Sequence, residues 1–154
     1  MSTRAIQFLE QKKIPFEVVR YGHGEKGARF AAHATGFALE ATVKTLVVDL
    51  AEKNYTLVLM PGDRQLSMKR LARLCGVKRA VMVDSQTAER ITGYLVGGIS
   101  PFGTKQNLPV VMEVDILMFD KILINAGQRG TMLLLAPADI RSALAATVGA
   151  VAQP

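Results

Sequence analysis

Several β-rich segments of this sequence follow one another with too few residues between them for a helix. Residues 43–50 and 55–60 are joined by a short polar stretch, and the segments 110–114, 121–125 and 131–135 are almost as close together. Parallel neighbours need a crossover connection of about a dozen residues or more, so these short links favour antiparallel pairing. The order predicts an α+β fold, with a mixed or largely antiparallel sheet surrounded by helices, and disfavours a doubly wound nucleotide-binding sheet.

The remaining segments carry the start and stop residues of short helices and strands. Helices are predicted at residues 3–13, 30–39, 64–75 and 85–92 and from Pro137 to near Gly149, and strands at residues 16–21 and 80–83. The second of these helices is expected to stop near Gly36 or a little later. Ser2 or Thr3, Asp63 and Asp84 are the expected N-caps of the first, third and fourth helices. A polar turn is expected at residues 22–27, and the last residues are expected to be frayed. With 154 residues and no repeat or linker, residues 1–154 are expected to form a single domain.

Charge and residue usage exclude several kinds of site. Lysine and arginine total 19 against 13 acidic residues, a modest excess that suits a polyanionic partner without requiring one. The absence of tryptophan disfavours an extended stacking platform for single-stranded nucleic acid. The two histidines, His23 and His33, lack metal-ligand spacing, and the single cysteine, Cys75, lies at the end of an apolar helical stripe. We therefore expect no metal, no cofactor and no cysteine nucleophile.

The chain also lacks targeting and membrane signals. Its first residues contain no long apolar core of the signal-peptide kind. No apolar run approaches the roughly 18 residues that a membrane-spanning helix needs. A cytoplasmic protein without a membrane partner is expected.

The richest functional motif is residues 93–105, which we call the Gly–Pro loop. It holds four glycines, one serine and one proline ahead of the apolar segment 108–112. Glycine permits close backbone approach, so the segment predicts the wall of a binding site, although a tight connection between strands would also use such residues. A nucleotide P-loop is excluded, because Lys105 does not directly follow a glycine and no helix begins there.

Lys44 opens an otherwise apolar strand, and two interpretations remain open for it. It is either a solvated lysine at a strand start or a fixed positive donor in a partly dry pocket, where it could stabilise developing negative charge. The basic groups Lys69, Arg70, Arg73, Lys78 and Arg79 form either a solvated helix face or, with Lys105 and Arg129, a surface that attracts a phosphate backbone.

Four motifs together resemble the YbaK-like family of aminoacyl-tRNA editing domains, which includes the domain inserted in many prolyl-tRNA synthetases. The motifs are residues 43–46 around Lys44, residues 60–69, the Gly–Pro loop, and residues 125–130 followed by 133–139. The resemblance implies a curved mixed sheet with surrounding helices and an aminoacyl-tRNA deacylase that hydrolyses mischarged tRNA. It is nearest to the freestanding subgroup that removes cysteine from tRNA-Pro.

The resemblance also assigns site residues. Lys44 would be the catalytic residue and contact the 3′-terminal adenosine region. The residues that would bind substrate are Tyr21, Phe30, Thr45, Gly97, Gly98, Ile99, Ser100, Pro101, Asn125 and Gly127. The backbone N–H groups of residues 98–100 would shape the pocket and donate to the substrate carbonyl. The family works largely by substrate-assisted chemistry, in which the terminal ribose hydroxyl or the thiol of a bound cysteine supplies the reactive group.

The expected partner is the acceptor end of a mischarged tRNA-Pro, and a transient complex with prolyl-tRNA synthetase is an open route to tRNA selection. Other functions also remain open at this stage. They are a deacylase for alanyl or seryl esters, a non-catalytic tRNA- or synthetase-binding module, and a small-molecule or nucleotide-binding protein that uses the same pocket.

Overall fold

A computed structural model describes residues 2–22 and 27–154 of the chain, so His23 and most of the turn expected at residues 22–27 lie outside the described residues. The helices are α1 (Arg4–Gln11), α2 (Ala28–Thr35), α3 (Met68–Cys75), α4 (Ser85–Thr92) and α5 (Pro137–Leu144), with 3₁₀ turns at Leu39–Ala41 and Val114–Met118. The strands are β1 (Glu17–Arg20), β2 (Thr42–Asp49), β3 (Tyr55–Pro61), β4 (Val81–Met82), β5 (Val110–Glu113), β6 (Ile122–Gln128), β7 (Thr131–Leu135) and β8 (Thr147–Gly149).

All of these strands belong to one mixed sheet. Its order is β1-β7-β6-β2-β3-β5-β8, and β4 pairs with β2. The pairs β1–β7, β2–β3, β2–β4 and β6–β7 are antiparallel, whereas β2–β6, β3–β5 and β5–β8 are parallel. The α+β class and the mixed sheet are therefore confirmed.

The two faces of β2 belong to different hydrophobic clusters, because side chains alternate along a strand. Val43 and Val47 pack in the cluster that holds Leu9 of α1 and Ile91 of α4. Val48 packs in the cluster that holds Leu71 of α3. A third, smaller cluster joins α2 to β6 and β7 through Ala31, Leu123 and Met132. Helices thus cover both faces of the sheet.

Helix capping explains most of the observed helix boundaries. The Thr3 hydroxyl accepts from the Ile6 N–H at 3.1 Å, and Asp84 Oδ1 accepts from the Thr87 N–H at 2.7 Å, as expected. The expected cap at Asp63 is wrong, because α3 begins at Met68 and its cap is Ser67. The second helix ends at Thr35, next to the expected stop at Gly36, which takes the left-handed conformation there.

The C-terminal segment is anchored, so the expectation of frayed last residues is wrong. The predicted last helix ends at Leu144, and β8 then adds a strand beside β5. One carboxylate oxygen of the buried Glu113 accepts from the N–H groups of Val151 and Ala152, each at 2.9 Å, and the other accepts from Asp115 N–H at 2.9 Å. These charge-assisted bonds fix the tail against the end of β5.

Candidate active site

The sheet opens along one edge of β2. On that edge β2 pairs with β6 only through Thr42 and Val43, and with β4 only at Val48 and Asp49. The stretch between these two pairings has no strand beside it on this edge among the described residues. An opening between strands exposes backbone polar groups that something else must satisfy. It is therefore the place in this fold where a loop or a ligand can approach the strand directly.

The Gly–Pro loop lies at this opening and encloses a cavity of about 200 Å³. The lining residues are Gly27, Ala28, Ala31, Val43, Lys44, Thr45, Val96, Gly97, Ile99, Asn125 and Met132. They come from α2 and the residue before it, from β2, from the Gly–Pro loop and from the β6–β7 hairpin. Five of the residues that the resemblance assigned, namely Lys44, Thr45, Gly97, Ile99 and Asn125, thus surround one cavity.

Side-chain hydrogen bonds hold the Gly–Pro loop in position. Asn125 Nδ2 donates to the Gly97 carbonyl at 2.9 Å, and Asn125 Oδ1 accepts from the Gly127 N–H at 3.3 Å. The Val96 N–H donates to Glu89 Oε2 at 2.8 Å. Because both ends of the Asn125 amide are engaged, this residue positions the loop and has little capacity left for a ligand.

The rest of the loop is packed into the protein behind the cavity. Ser100, Pro101 and Phe102 are buried, and the Ser100 hydroxyl accepts from the Phe102 N–H at 3.3 Å. The Tyr94 hydroxyl donates to the Phe102 carbonyl. Ser100 and Pro101 therefore lie beneath the cavity and do not line it.

Gly98 and Gly127 lie on the far side of the loop, in a separate cavity of about 470 Å³ beside Tyr94 and Arg129. The Gly98 N–H already donates to the Leu95 carbonyl at 2.9 Å. Of the three backbone N–H groups expected to face a substrate carbonyl, the Gly98 group is thus committed within the loop, and Ser100 is fully buried and does not line the cavity. The Ile99 N–H is the remaining candidate.

Lys44 is the cationic side chain on the described part of the cavity wall. It is half-buried, and desolvation lowers the pKa of its ammonium; the charge of Asp63 raises that pKa and the charge of Arg29 lowers it. Within the described residues Lys44 forms no ion pair, since the single pair joins Arg64 and Asp115. A partly dehydrated ammonium without a fixed carboxylate partner interacts strongly with an anionic or developing negative group.

Thr45 contributes the second polar group of the cavity wall. Its hydroxyl oxygen is buried and has no hydrogen-bond partner within the described residues, and it is the only such side-chain atom there. An unpaired buried hydroxyl costs about 1–3 kcal/mol.

Tyr21 and Phe30 lie near the cavity but are not among its lining residues. Their rings contact each other, with centroids 6.0 Å apart. Tyr21 also packs against the cluster of Ala31 and Met132, two residues that do line the cavity. The aromatic pair therefore supports the α2 side of the wall from behind.

Sequence reasoning missed five apolar lining residues: Ala28, Ala31, Val43, Val96 and Met132. Val96 lies inside the Gly–Pro loop and could have been found from it. The others belong to ordinary helix and strand patterns, which do not distinguish a cavity wall from a core position. Their surface makes the cavity largely apolar around the polar residues Lys44, Thr45 and Asn125.

Other kinds of centre find no support in the described part of the chain. No group of three or more histidine, cysteine or acidic side chains is placed there to hold a metal ion. Cys75 is partly buried on α3, away from the cavity, and burial raises the pKa of its thiol, so it is unsuited to be a nucleophile. None of the helices in residues 2–22 and 27–154 is long and apolar enough to cross a membrane.

Comparison with known proteins identifies the family. The sequence profile of the aminoacyl-tRNA editing domain matches residues 24–143, which include the whole described cavity wall. The chain belongs to the aminoacyl-tRNA editing domain family. Editing is hydrolysis of the ester between an amino acid and its tRNA, so this family member is an aminoacyl-tRNA deacylase, a hydrolase of translation.

Full-length relatives of this editing domain carry two kinds of activity in their names. A protein of Enterococcus faecalis named "Putative Cys-tRNA(Pro)/Cys-tRNA(Cys) deacylase EbsC" is 31% identical over 142 residues, which cover 91% of this chain and 87% of the relative. The Escherichia coli K12 protein named "Multifunctional Ser/Thr-tRNA deacylase ProXp-y" is 28% identical, over 88% of this chain and 83% of the relative.

The fold of the editing domain is also found among solved structures. The crystal structure of a protein described as a "putative trans-editing enzyme for prolyl tRNA synthetase" matches with a TM-score of 0.89 and 24% identity, over 98% of this chain and 96% of that one. At this identity the likeness shows the fold alone.

Proposed function

We propose that this editing domain is a freestanding, trans-acting deacylase of mischarged tRNA-Pro, with Cys-tRNA(Pro) as its main substrate and Lys44 as its catalytic residue. The observation that carries the proposal is the meeting of Lys44 and the Gly–Pro loop at one small cavity between β2 and β6. The similarity to the E. faecalis protein supports cysteine as the amino acid. The substrate places the activity in the cytoplasm, where aminoacyl-tRNAs are made and used.

The size of the cavity suits an aminoacyl group. A water molecule occupies about 30 Å³ in the liquid, so about 200 Å³ corresponds to roughly six or seven water-sized groups. A cysteinyl group has six non-hydrogen atoms. The cavity is therefore large enough for a small aminoacyl group, and we assign the terminal adenosine to its mouth.

Lys44 acts by charge and position. Hydrolysis breaks the bond between the carbonyl carbon and the ribose oxygen, the water oxygen bonds to that carbon, and the ribose oxygen takes up a proton. Negative charge develops on the carbonyl oxygen in the transition state. The partly dehydrated Lys44 ammonium stabilises this charge and orients the terminal ribose, and the N–H group of Ile99 is a candidate additional donor.

The reactive group comes from the substrate. The wall offers no histidine among its described residues, and the buried Ser100 hydroxyl does not line the cavity. The ribose hydroxyl next to the ester, or the thiol of the cysteinyl group, therefore assists the attack. Selection of the tRNA is assigned to the acceptor end together with a transient complex with prolyl-tRNA synthetase.

The test is deacylation of Cys-, Ser-, Ala- and Pro-tRNA-Pro by the wild type and by Lys44→Ala. Rapid loss of cysteine, reduced well over tenfold in a folded Lys44→Ala variant, is the expected result. The matched control is Lys121→Ala, which removes an exposed lysine just before β6, outside the cavity wall, and should leave the rate within about twofold. A folded Lys44→Ala variant with near-normal activity would sink the catalytic assignment.

Two other outcomes lead to different functions. Preferential hydrolysis of Ser- or Ala-tRNA-Pro would keep the mechanism and change the substrate. Tight tRNA binding without turnover of any ester would support a non-catalytic binding module. Titration with prolyl-tRNA synthetase tests the synthetase complex. A productive complex should raise the deacylation rate when the deacylase is present at a limiting concentration.

A further inference from the structure

We infer that Glu89 and Arg129 are positioning residues of this deacylase. Neither of them lines the cavity that holds Lys44, and they act by binding the backbone N–H and the carbonyl of Val96. Val96 lines both that cavity and the outer cavity, as we call the one of about 470 Å³ on the far side of the Gly–Pro loop. The two bonds keep the next N–H of the chain, that of Gly97, turned towards the substrate. The inference rests on the proposed function and deepens it.

The first argument is the shape of the loop at this wall. The Gly98 N–H donates to the Leu95 carbonyl at 2.9 Å, which closes a four-residue turn around Val96 and Gly97. Gly97 has φ +96°, the positive value that a type II turn requires of its third residue. A type I turn differs from it mainly in the orientation of the peptide between the two central residues. The orientation of the Val96–Gly97 peptide is therefore the property that surrounding groups must fix.

The second argument is that side chains from three parts of the chain hold this turn. Arg129 Nη2, from the β6–β7 turn, donates to the Val96 carbonyl at 3.3 Å. Glu89 Oε2, from α4, accepts from the Val96 N–H at 2.8 Å, a half-buried bond that the carboxylate charge strengthens. Asn125 Nδ2, from β6, donates to the Gly97 carbonyl at 2.9 Å. Three consecutive peptides of the wall are thus each bound by a side chain.

The third argument is the direction in which the Gly97 N–H then points. None of the described peptide bonds is cis, so the carbonyl and the N–H of the Val96–Gly97 peptide point in opposite directions. The carbonyl faces Arg129, which lines the outer cavity only, whereas Gly97 lines only the cavity that holds Lys44. The Gly97 N–H therefore faces the substrate side, and it donates to no other described residue. It is placed as a hydrogen-bond donor for the carbonyl oxygen of the ester.

Arg129 is exposed, so a contact with a tRNA phosphate is the competing role, and the two roles change different quantities. Positioning acts on the chemical step, so its loss lowers the rate at saturation. A phosphate contact acts on binding, so its loss raises the concentration needed for half-maximal rate and reduces the salt dependence of binding.

The test measures single-turnover deacylation, with enzyme in excess over the ester of tRNA-Pro that the wild type cleaves fastest. Glu89→Ala and Arg129→Ala should each lower the saturating rate about tenfold or more, because a displaced donor no longer meets the developing negative charge. The half-saturating concentration should stay within about twofold, and circular dichroism should show folded proteins. Glu89→Gln should recover most of the rate, since its amide oxygen still accepts from the Val96 N–H.

Arg90→Ala is the matched control, because it removes an exposed arginine beside Glu89 on α4. It should leave both kinetic quantities within about twofold of the wild type. The double variant Glu89→Ala/Arg129→Ala tests whether the two residues act on one peptide. Its rate should be close to that of the more impaired single variant, because groups that act as a unit are not additive.

Four results would overturn the positioning role while the deacylase function stands. They are unchanged saturating rates, a change in half-saturating concentration alone, losses that multiply in the double variant, and a Glu89→Gln variant as impaired as Glu89→Ala. If the wild type cleaves no aminoacyl ester, the proposed function fails first and this inference fails with it.

Discussion

Replacing Gly127 with alanine should destabilise the protein beside the cavity. Gly127 has φ +95°, and an added Cβ would lie 2.6 Å from Cε1 and 3.1 Å from Cδ1 of Tyr94. The ring cannot move aside easily, because Tyr94 is only 5% exposed and its hydroxyl bonds the Phe102 carbonyl. The substitution therefore combines backbone strain with a collision against a fixed ring.

The two costs can be estimated separately. A residue with a Cβ in a left-handed conformation costs roughly 1–2 kcal/mol, and overpacking a filled interior costs typically about 1–3 kcal/mol. Gly127→Ala should thus lower the free energy of unfolding by about 2–5 kcal/mol. Gly76→Ala is the matched control, because Gly76 has φ +70° and nothing within 4 Å of its added Cβ. It should show the strain alone, about 1–2 kcal/mol.

Urea denaturation of both variants provides the measurement, and the difference between them isolates the collision. Deacylation by the folded fraction should also fall for Gly127→Ala, since the Gly127 N–H bonds Asn125, which in turn holds Gly97 at the cavity. Equal destabilisation of the two variants would refute the argument, because the collision with Tyr94 would then have no energetic consequence.

Three further predictions concern stability and RNA binding. Burial raises the pKa of Tyr94 from 10.0 to about 12, so the folded state holds this proton more tightly. Roughly 2–3 kcal/mol of stability present below pH 10 should be lost as the pH rises through 12, and this loss should be absent in Tyr94→Phe when unfolding is followed against pH. Glu113→Gln should lower the free energy of unfolding by about 2–4 kcal/mol, measured by thermal unfolding, because an amide cannot accept from all three N–H groups that the carboxylate binds. The exposed control Glu40→Gln should change it by less than about 0.5 kcal/mol. Lys78 and Arg79 line a surface groove beside α3. Their replacement with alanine should reduce the slope of log affinity for tRNA against log salt concentration by about 0.7–0.9 for each phosphate that the variant no longer neutralises, measured by filter binding from about 50 to 200 mM salt. An unchanged slope would show that this face does not contact tRNA.

The sequence correctly predicted the elements that are determined by interactions within a few residues. The short link after β2, the cap at Asp84 and the glycines of the Gly–Pro loop all act within a few residues, and each led to the observed structure. The loop was expected to form a binding wall, and Gly97 and Ile99 do lie on the cavity. The buried positions of Ser100 and Pro101 were not predictable, because they depend on how the loop packs under Tyr94.

The errors arise where distant parts of the chain decide the local structure. Asp63 is a good capping residue, but the chain continues extended past it, and the Ser67 N–H donates to the Val151 carbonyl at 2.7 Å before α3 begins. The same tail looked frayed from its sequence, since the acceptor that holds it, Glu113, lies far away in the chain. The cavity likewise depends on the parallel pairing of β2 with β6, which no local pattern reveals.

Because of that pairing, the cavity forms only after distant parts of the chain have come together. The cavity wall is assembled from segments that lie between residues 27 and 132, and β6 must dock on β2 before the wall closes. Contacts of such large sequence separation form late in folding, because loop-closure entropy opposes them. A chain in which β6 has not yet docked on β2 therefore lacks this cavity.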